Sequence, residues 1–100
     1  MSWFGFGKNK AKKTLEERLR DLDIFTQTPP DSERLEDVSI KGSGRSIDIA
    51  EDRFIENAKS NRIKYIPKIN NPKKNPNYFG GNRVDSYTIT ATGYRFKPII

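Results

Sequence analysis

Isoleucine dominates the apolar content of this 100-residue chain, which has 11 Ile but only 4 Leu. β-Branched side chains pack well on a pleated, half-buried surface, so this usage favours strands over a helical bundle. Leu, Ile, Val and Phe together number 23, a share close to the level of roughly 20% below which chains tend to stay disordered. The composition therefore predicts a single small domain with a marginal core.

Two segments space their apolar residues as helices do. Over residues 14–23, Thr14 and Glu17 have the spacing of a capping box ahead of a leucine stripe. A second helix is predicted to begin between Asp48 and Ala50 and to end near Ser60.

Alternation of apolar and polar residues predicts strands elsewhere. Residues 84–92 alternate and are followed after Gly93 by a second short run, so we predict a C-terminal hairpin. Residues 38–40 and 47–49 also alternate across a Gly-Ser-Gly segment, which predicts another short hairpin or an ordered loop with strand-like ends. The predicted fold is thus a small α+β domain with two short helices and a small antiparallel sheet.

Two regions are predicted to lack regular structure. Residues 1–13 combine aromatics, glycines and lysines and are expected to form an extended N-terminal arm, so the domain itself comprises residues 14–100. Residues 70–83 are rich in Asn, Pro, Lys and Gly, which favour turns, and we predict a long irregular loop there. An unstructured loop of this length in a compact domain is usually functional or disordered.

Apolar side chains in these irregular regions and at the C-terminus are the candidate partner-binding residues. The aromatics of the arm would insert into a groove on a partner, fold back on their own domain or rest at a lipid interface, and a solvated tail is the alternative. An apolar terminus is normally anchored rather than left in water. The candidates are Trp3, Phe4, Phe6, Tyr78, Phe79, Ile99 and Ile100.

The segment 57–83 contains many cations and no acid, with aromatic side chains among them. Such a stretch can neutralise phosphates and stack on planar groups, so nucleic acid, an anionic membrane and an acidic protein surface are all compatible partners. A solubilising surface that faces an acidic neighbour explains the same pattern, and no known RNA- or DNA-binding motif accompanies it. The candidate polyanion-binding residues are Lys59, Arg62, Lys64, Lys68, Lys73, Lys74 and Arg83.

The chain has no Cys and no His. This excludes disulfides, thiolate nucleophiles, zinc fingers and every Ser-His or Cys-His catalytic pair. No recognisable motif arranges Asp, Glu, Lys, Tyr or Ser side chains as a catalytic site. A chain this short also buries too little surface for a large substrate cleft. We therefore predict a protein that is not an enzyme, has no cofactor and takes no small-molecule substrate.

Two smaller patterns have simpler explanations than a ligand site. Asp48, Asp52 and Glu56 would align on one helix face, as ligands of a hard cation do, but neighbouring cations compensate them and no second carboxylate cluster exists. Residues 41–45 have the Gly-Ser-Gly backbone of a phosphate-binding turn without the rest of a nucleotide-binding motif. We predict no metal site and an ordinary flexible turn.

These features predict a non-enzymatic structural or interaction subunit that docks onto a larger macromolecular assembly, with an acidic protein surface as partner. Apolar anchors at both ends, a marginal core and long irregular segments are typical of a protein ordered by burial against partners. A minor virion component is one role that fits. The alternative is a small basic protein that binds RNA or the ribosome through residues 57–83. Without a signal-peptide pattern or membrane-spanning run, we expect a cytoplasmic location or incorporation into a particle.

Overall fold

The computed structural model describes residues 13–31 and 34–98, which contain two helices and one antiparallel sheet. The sheet has three strands in the order β1-β3-β2, and both pairings are antiparallel. The predicted small α+β domain is confirmed. The elements in chain order are α1 (Leu15–Arg20), β1 (Leu35–Gly44), α2 (Ile47–Ser60), β2 (Lys73–Phe79) and β3 (Asn82–Phe96).

Both helices begin at a side-chain cap. The Thr14 hydroxyl accepts from the Glu17 amide at 3.1 Å, and the Glu17 carboxylate accepts from the Thr14 amide at 2.8 Å, so the predicted capping box is present. α1 ends at Arg20, a few residues before the predicted end. The cap of α2 is Ser46, whose hydroxyl accepts from the Ile49 amide at 3.2 Å, and the helix ends at Ser60 as predicted.

α2 packs across β1 and β3 on one face of the sheet. The side chains of Ile40, Ile89 and Ala91 belong to the core, which shows that even-numbered residues of β1 and odd-numbered residues of β3 face α2. The opposite side, called the open face here, carries the alternate residues, and neither helix of the described residues packs on it. The buried core consists of Leu19, Ile24, Ile40, Ala50, Phe54, Ile55, Ala58, Ile63, Ile66, Ile89 and Ala91.

The segment between α2 and β2 runs along the second edge of β3. Tyr65 and Tyr94 exchange backbone hydrogen bonds at 3.1 and 2.7 Å, and the Asn70 amide donates to the Thr90 carbonyl at 3.0 Å. These bonds show that even-numbered residues of β3 direct their backbone groups towards this segment and β2. Odd-numbered residues of β3 therefore direct theirs towards β1.

The short hairpin predicted over residues 38–49 is wrong. β1 continues through the Gly-Ser-Gly segment to Gly44, and Ile47 is the first residue of α2. The glycines are needed for packing rather than for a turn, because a Cβ at Gly42 would overlap the α2 backbone at Ala50 and Phe54. Alternation over three residues could not distinguish these possibilities.

The irregular loop predicted over 70–83 is replaced by regular structure along most of its length. Lys73–Phe79 form β2, and Gly80 and Gly81 make the turn into β3 with φ of 57° and 85°. The C-terminal hairpin is therefore β2–β3. The prediction that Gly93 separates two strands is wrong, because Gly93 lies inside β3, where its missing side chain leaves room for Ile40 and Ile63. The Asn- and Pro-rich composition concealed a strand that long-range pairing with β3 stabilises.

Candidate docking site

The hairpin β2–β3 projects beyond the three-stranded part of the sheet. Pairing of β1 with β3 ends at Gly44 opposite Tyr87, so residues 82–86 of β3 have β2 as their only neighbouring strand. At a rise of about 3.4 Å per residue, these five residues extend about 17 Å past the end of β1. Among the described helices and strands, β2 contacts β3 alone, and the side chains at the hairpin tip are exposed.

Two large aromatic side chains occupy the hairpin tip. Tyr78 is 69% exposed and Phe79 is 66% exposed, more than any other large apolar residue in the described part of the chain. Because successive residues point to opposite faces, Tyr78 lies on the same side as α2 and Phe79 lies on the open side. A partner that surrounds the tip would therefore contact an aromatic ring on each side.

A charged cluster lies on the Tyr78 side of the hairpin. Asp85 accepts from Arg83 Nε at 2.8 Å and pairs with Lys74 Nζ at 3.4 Å. The Arg83 guanidinium beside Asp85 holds the pKa of that carboxyl below its usual value of 3.8, and Lys74 acts in the same direction. Two cations share one acid, so this side of the hairpin is net positive.

Asparagine side chains stiffen the other side of the hairpin. The Asn75 amide group donates to the Thr88 hydroxyl at 3.0 Å, and the Asn77 amide group donates to the Ser86 hydroxyl at 3.1 Å. Each pair bridges β2 to β3 next to the backbone ladder. Side-chain hydrogen bonds therefore join the two strands and hold the tip in a defined geometry, which lowers the entropic cost of ordering the hairpin on binding.

Pro76 fits into β2 because of the direction of its backbone. In a hairpin that closes on a two-residue turn, Phe79 and Asn82 form a hydrogen-bonded pair, and alternation leaves Pro76 opposite Asp85 in a non-hydrogen-bonded pair. The amide that proline lacks would have pointed to the free edge of the sheet. Its ring also makes that edge a poor template for another strand.

The structure spreads the seven predicted polyanion-binding residues along the sheet and the end of α2. Lys73, Lys74 and Arg83 lie on the hairpin, whereas Lys64 precedes Tyr65, which pairs with Tyr94 near the far end of β3. Lys74 lies opposite Tyr87, which is seven residues from Tyr94 along β3. The positions of Lys74 and Lys64 are therefore separated by about 23 Å along the strand. Lys59 and Arg62 lie at the end of α2 and just after it, and Lys68 precedes Ile69, which pairs with Ala91 between the Tyr87 and Tyr94 positions.

The surroundings of the second group differ from those of the hairpin. The Lys64 ammonium lies 5.0 Å from the centre of the Phe25 ring, in cation–π contact, and Tyr65 is only 8% exposed. Tyr65 is therefore a core residue and does not offer a ring for stacking on a base. Of the aromatic side chains in residues 57–83, Tyr78 and Phe79 are therefore exposed and Tyr65 is not.

Several sequence predictions lie outside the described residues. Trp3, Phe4 and Phe6 of the predicted N-terminal arm belong to this group, as do Ile99 and Ile100 at the C-terminus. Of the candidate partner-binding residues, Tyr78 and Phe79 are the two in the described ranges, and the structure brings them together at one tip.

The residues that shape the hairpin were not among the predicted site residues. Asp85 organises the charged cluster, and Asn75 and Asn77 bridge the strands. A signal for them was present, because Gly80-Gly81 is a favourable two-residue turn and residues 84–92 alternate immediately after it. Extending that alternation back across the turn would have located β2.

One of the three aligned carboxylates of α2, Asp52, forms an ion pair with α1. Arg18 donates to Asp52 at 2.6 Å and lies 4.0 Å from Glu51. Within residues 13–31 and 34–98, no group of three acidic side chains is arranged to hold a metal ion. None of the helices in the same ranges has the length and apolar character needed to cross a membrane.

The fold and the site define a small α+β domain with a projecting, aromatic-tipped hairpin. Comparisons of the chain with protein-family models, with curated proteins and with solved structures find no match.

Proposed function

We propose that this protein is a non-enzymatic docking subunit of a larger macromolecular assembly, and that the β2–β3 hairpin is the element that enters a neighbouring protein. The observation that carries the proposal is the exposure of Tyr78 and Phe79 at the tip of a hairpin that extends beyond the three-stranded part of the sheet. Aromatic side chains of this kind are enriched at the buried centres of protein interfaces, where they supply much of the binding energy.

Charge and rigidity support an acidic protein surface as the partner. Lys73 and Lys74 lie at the base of the projecting hairpin and Arg83 lies opposite Tyr78 near its tip, with Asp85 as the acid that pairs with Lys74 and Arg83. An acidic rim around an apolar slot would complement this arrangement and steer the encounter. The asparagine bridges keep the tip in one geometry, which favours insertion into a shaped pocket. A virus particle is one assembly that this role fits.

Nucleic acid is the second partner class that the charge allows. A single strand would need exposed rings along a basic track, whereas Tyr65 is buried and the exposed rings of residues 57–83, Tyr78 and Phe79, are confined to the hairpin tip. Protein docking through the tip therefore fits the arrangement better. The alternative remains directly testable, because phosphate-driven binding weakens steeply as salt is added.

The test uses the full chain with a photoreactive phenylalanine analogue in place of Phe79, irradiated in extract of the native cells. Phe96, also on the open side and 49% exposed, gives a matched control at the other end of β3. We expect position 79 to crosslink to one specific protein and position 96 to crosslink to none. The double variant Tyr78→Ser/Phe79→Ser should abolish co-purification of the crosslinked protein, and Phe96→Ser should preserve it.

A parallel titration follows the fluorescence anisotropy of a labelled single-stranded oligonucleotide at low and physiological salt. We expect weak binding that the Tyr78→Ser/Phe79→Ser variant does not change. Tight, salt-sensitive binding that is lost when Lys68, Lys73 and Lys74 are all changed to Gln, together with no crosslink to protein from position 79, would replace the docking proposal with the nucleic-acid one.

A further inference from the structure

β1 has a free edge along its outer side. Odd-numbered residues of β3 direct their backbone groups towards β1, and their partners there are the even-numbered residues, such as Ile40 opposite Ala91. The odd-numbered residues of β1 therefore direct their amides and carbonyls away from the sheet. Arg53 corroborates this direction, because its guanidinium donates to the Ser43 carbonyl at 3.0 Å from outside the ladder.

The middle of this edge is unprotected within the described residues. The outward backbone groups of Asp37, Ser39 and Lys41 have no hydrogen-bond partner in residues 13–31 and 34–98, and the three side chains are exposed. Natural proteins usually protect long edge strands with proline, a bulge or a covering segment. β2 has Pro76 on its free edge, whereas β1 has no proline along its 10 residues.

The charge pattern along the edge is self-complementary. If a second copy of β1 lies antiparallel with Ser39 opposite Ser39, then Asp37 of each copy lies opposite Lys41 of the other. The same register brings together the odd-numbered residues, whose backbone groups point outward, so it satisfies the hydrogen-bonding requirement as well. Opposite charges directly across an antiparallel pair are favourable, and a two-fold axis repeats the pair on both sides.

We propose that two copies of this protein associate through their β1 edges, antiparallel and centred on Ser39, so that two three-stranded sheets become one continuous sheet. The two α2 helices then lie side by side on one face, with Asn57 and the Arg53 side chain on the flanks that meet. The Arg53 bond to the Ser43 carbonyl marks the outer limit of the pairing.

The dimer has a consequence for docking. Antiparallel β1 strands place the two hairpins at opposite ends of the joint sheet, pointing away from each other. An assembly with repeated binding sites would then be engaged at two points, and the second contact would form at a high effective concentration. The β1 pairing itself depends on none of the hairpin-tip residues, so it stands or falls separately from the proposed docking function.

Charge reversal tests the register. Sedimentation velocity of the full chain over a range of concentrations should show a monomer–dimer equilibrium. Asp37→Lys and Lys41→Asp should each weaken dimerisation at least about tenfold, because each places like charges opposite one another twice. The double variant Asp37→Lys/Lys41→Asp restores opposite charges in the same register and should regain the dimer. Lys68→Asp, a charge reversal at an exposed site outside β1, is the control.

A backbone variant tests the edge itself. Ser39→Pro removes an outward amide that takes no part in the β1–β3 ladder, so it should prevent dimerisation while circular dichroism stays that of the folded domain. Ser39→Ala should dimerise normally, and so should Tyr78→Ser/Phe79→Ser. A chain that stays monomeric at every concentration, or a double charge-reversal variant that fails to regain association, would overturn the proposal.

Discussion

Gly42 of β1 lies directly beneath the backbone of Phe54 in α2. A Cβ atom on residue 42 would overlap the Phe54 amide nitrogen and the Ala50 carbonyl oxygen. The helix therefore rests on the strand's backbone, and the Phe54 side chain, which is 0% exposed, reaches past it into the core. This contact sets the height of α2 above the sheet.

Gly42→Ala should destabilise the domain by about 3 kcal/mol, because the added methyl group meets backbone atoms that cannot rotate away. Urea denaturation followed by circular dichroism measures the change in the free energy of unfolding. The matched control is Thr92→Ala on the open face of β3, where the side chain is exposed and the change should stay below about 1 kcal/mol. Equal stability of Gly42→Ala and the wild type would contradict the packing described here.

The two glycines of the turn at the hairpin tip should differ in how well they tolerate substitution. Gly81 has a φ of 85° and Gly80 a φ of 57°, with no atom within 4 Å of a Cβ at either position, so only backbone strain opposes a side chain. Gly81→Val should open the tip, at a cost of about 1–2 kcal/mol confined to the hairpin. Gly80→Asn should be nearly neutral, because Asn-Gly is the preferred sequence of two-residue hairpin turns that have positive φ at both positions. Amide hydrogen exchange at Asn77 distinguishes the two, since its amide lies in the hairpin ladder.

Acid should loosen the hairpin before it unfolds the domain. The folded-state pKa of Asp85 lies below its unfolded value, chiefly because of Arg83, so the stabilisation from the pair is present above about pH 4 and is lost as pH falls through the folded-state pKa. An NMR titration of the Asp85 carboxyl should give a pKa below 3.8.

A variant of the cation that bonds Asp85 and one of a cation on the opposite side of the hairpin identify the cause of that pKa. Arg83→Gln should raise the pKa of Asp85 towards its usual value, since it removes the hydrogen bond that favours the carboxylate. Lys73→Gln should leave the pKa unchanged, because Lys73 is on the other side of the hairpin. A similar response to both variants would show that general charge, rather than the Arg83 contact, sets the titration.

Arg95 joins three elements at the far end of the sheet. Its Nε donates to Glu36 of β1 at 2.7 Å, and its guanidinium also donates to the carbonyl of Asn61, the C-cap of α2, at 3.2 Å. Arg95→Met should cost about 1 kcal/mol of unfolding free energy, a modest amount because solvent screens a pair whose side chains are about one-third exposed. Arg95→Lys should recover only part of it, since Lys cannot reach both acceptors in a fork. Chemical denaturation of the two variants beside wild type gives the comparison.

Local sequence determined both helices and the alternating strand β3. Thr14 and Glu17 are close enough in the chain to form their capping box without help from the rest of the fold, and the apolar spacing of α2 selects its buried face in advance. The absence of Cys and His likewise restricts the chemistry whatever the fold.

Tertiary structure alone decided the remaining features. β2 depends on β3, because Asn75, Asn77 and the backbone around Pro76 find their partners there, across the Gly80-Gly81 turn. Long-range pairing also spread the basic stretch along the sheet and buried Tyr65, because strand register and not sequence distance decides which side chains meet. Short-range patterns record which residues can form an element, whereas the free edge of β1 and the projecting hairpin depend on which strand lies beside which.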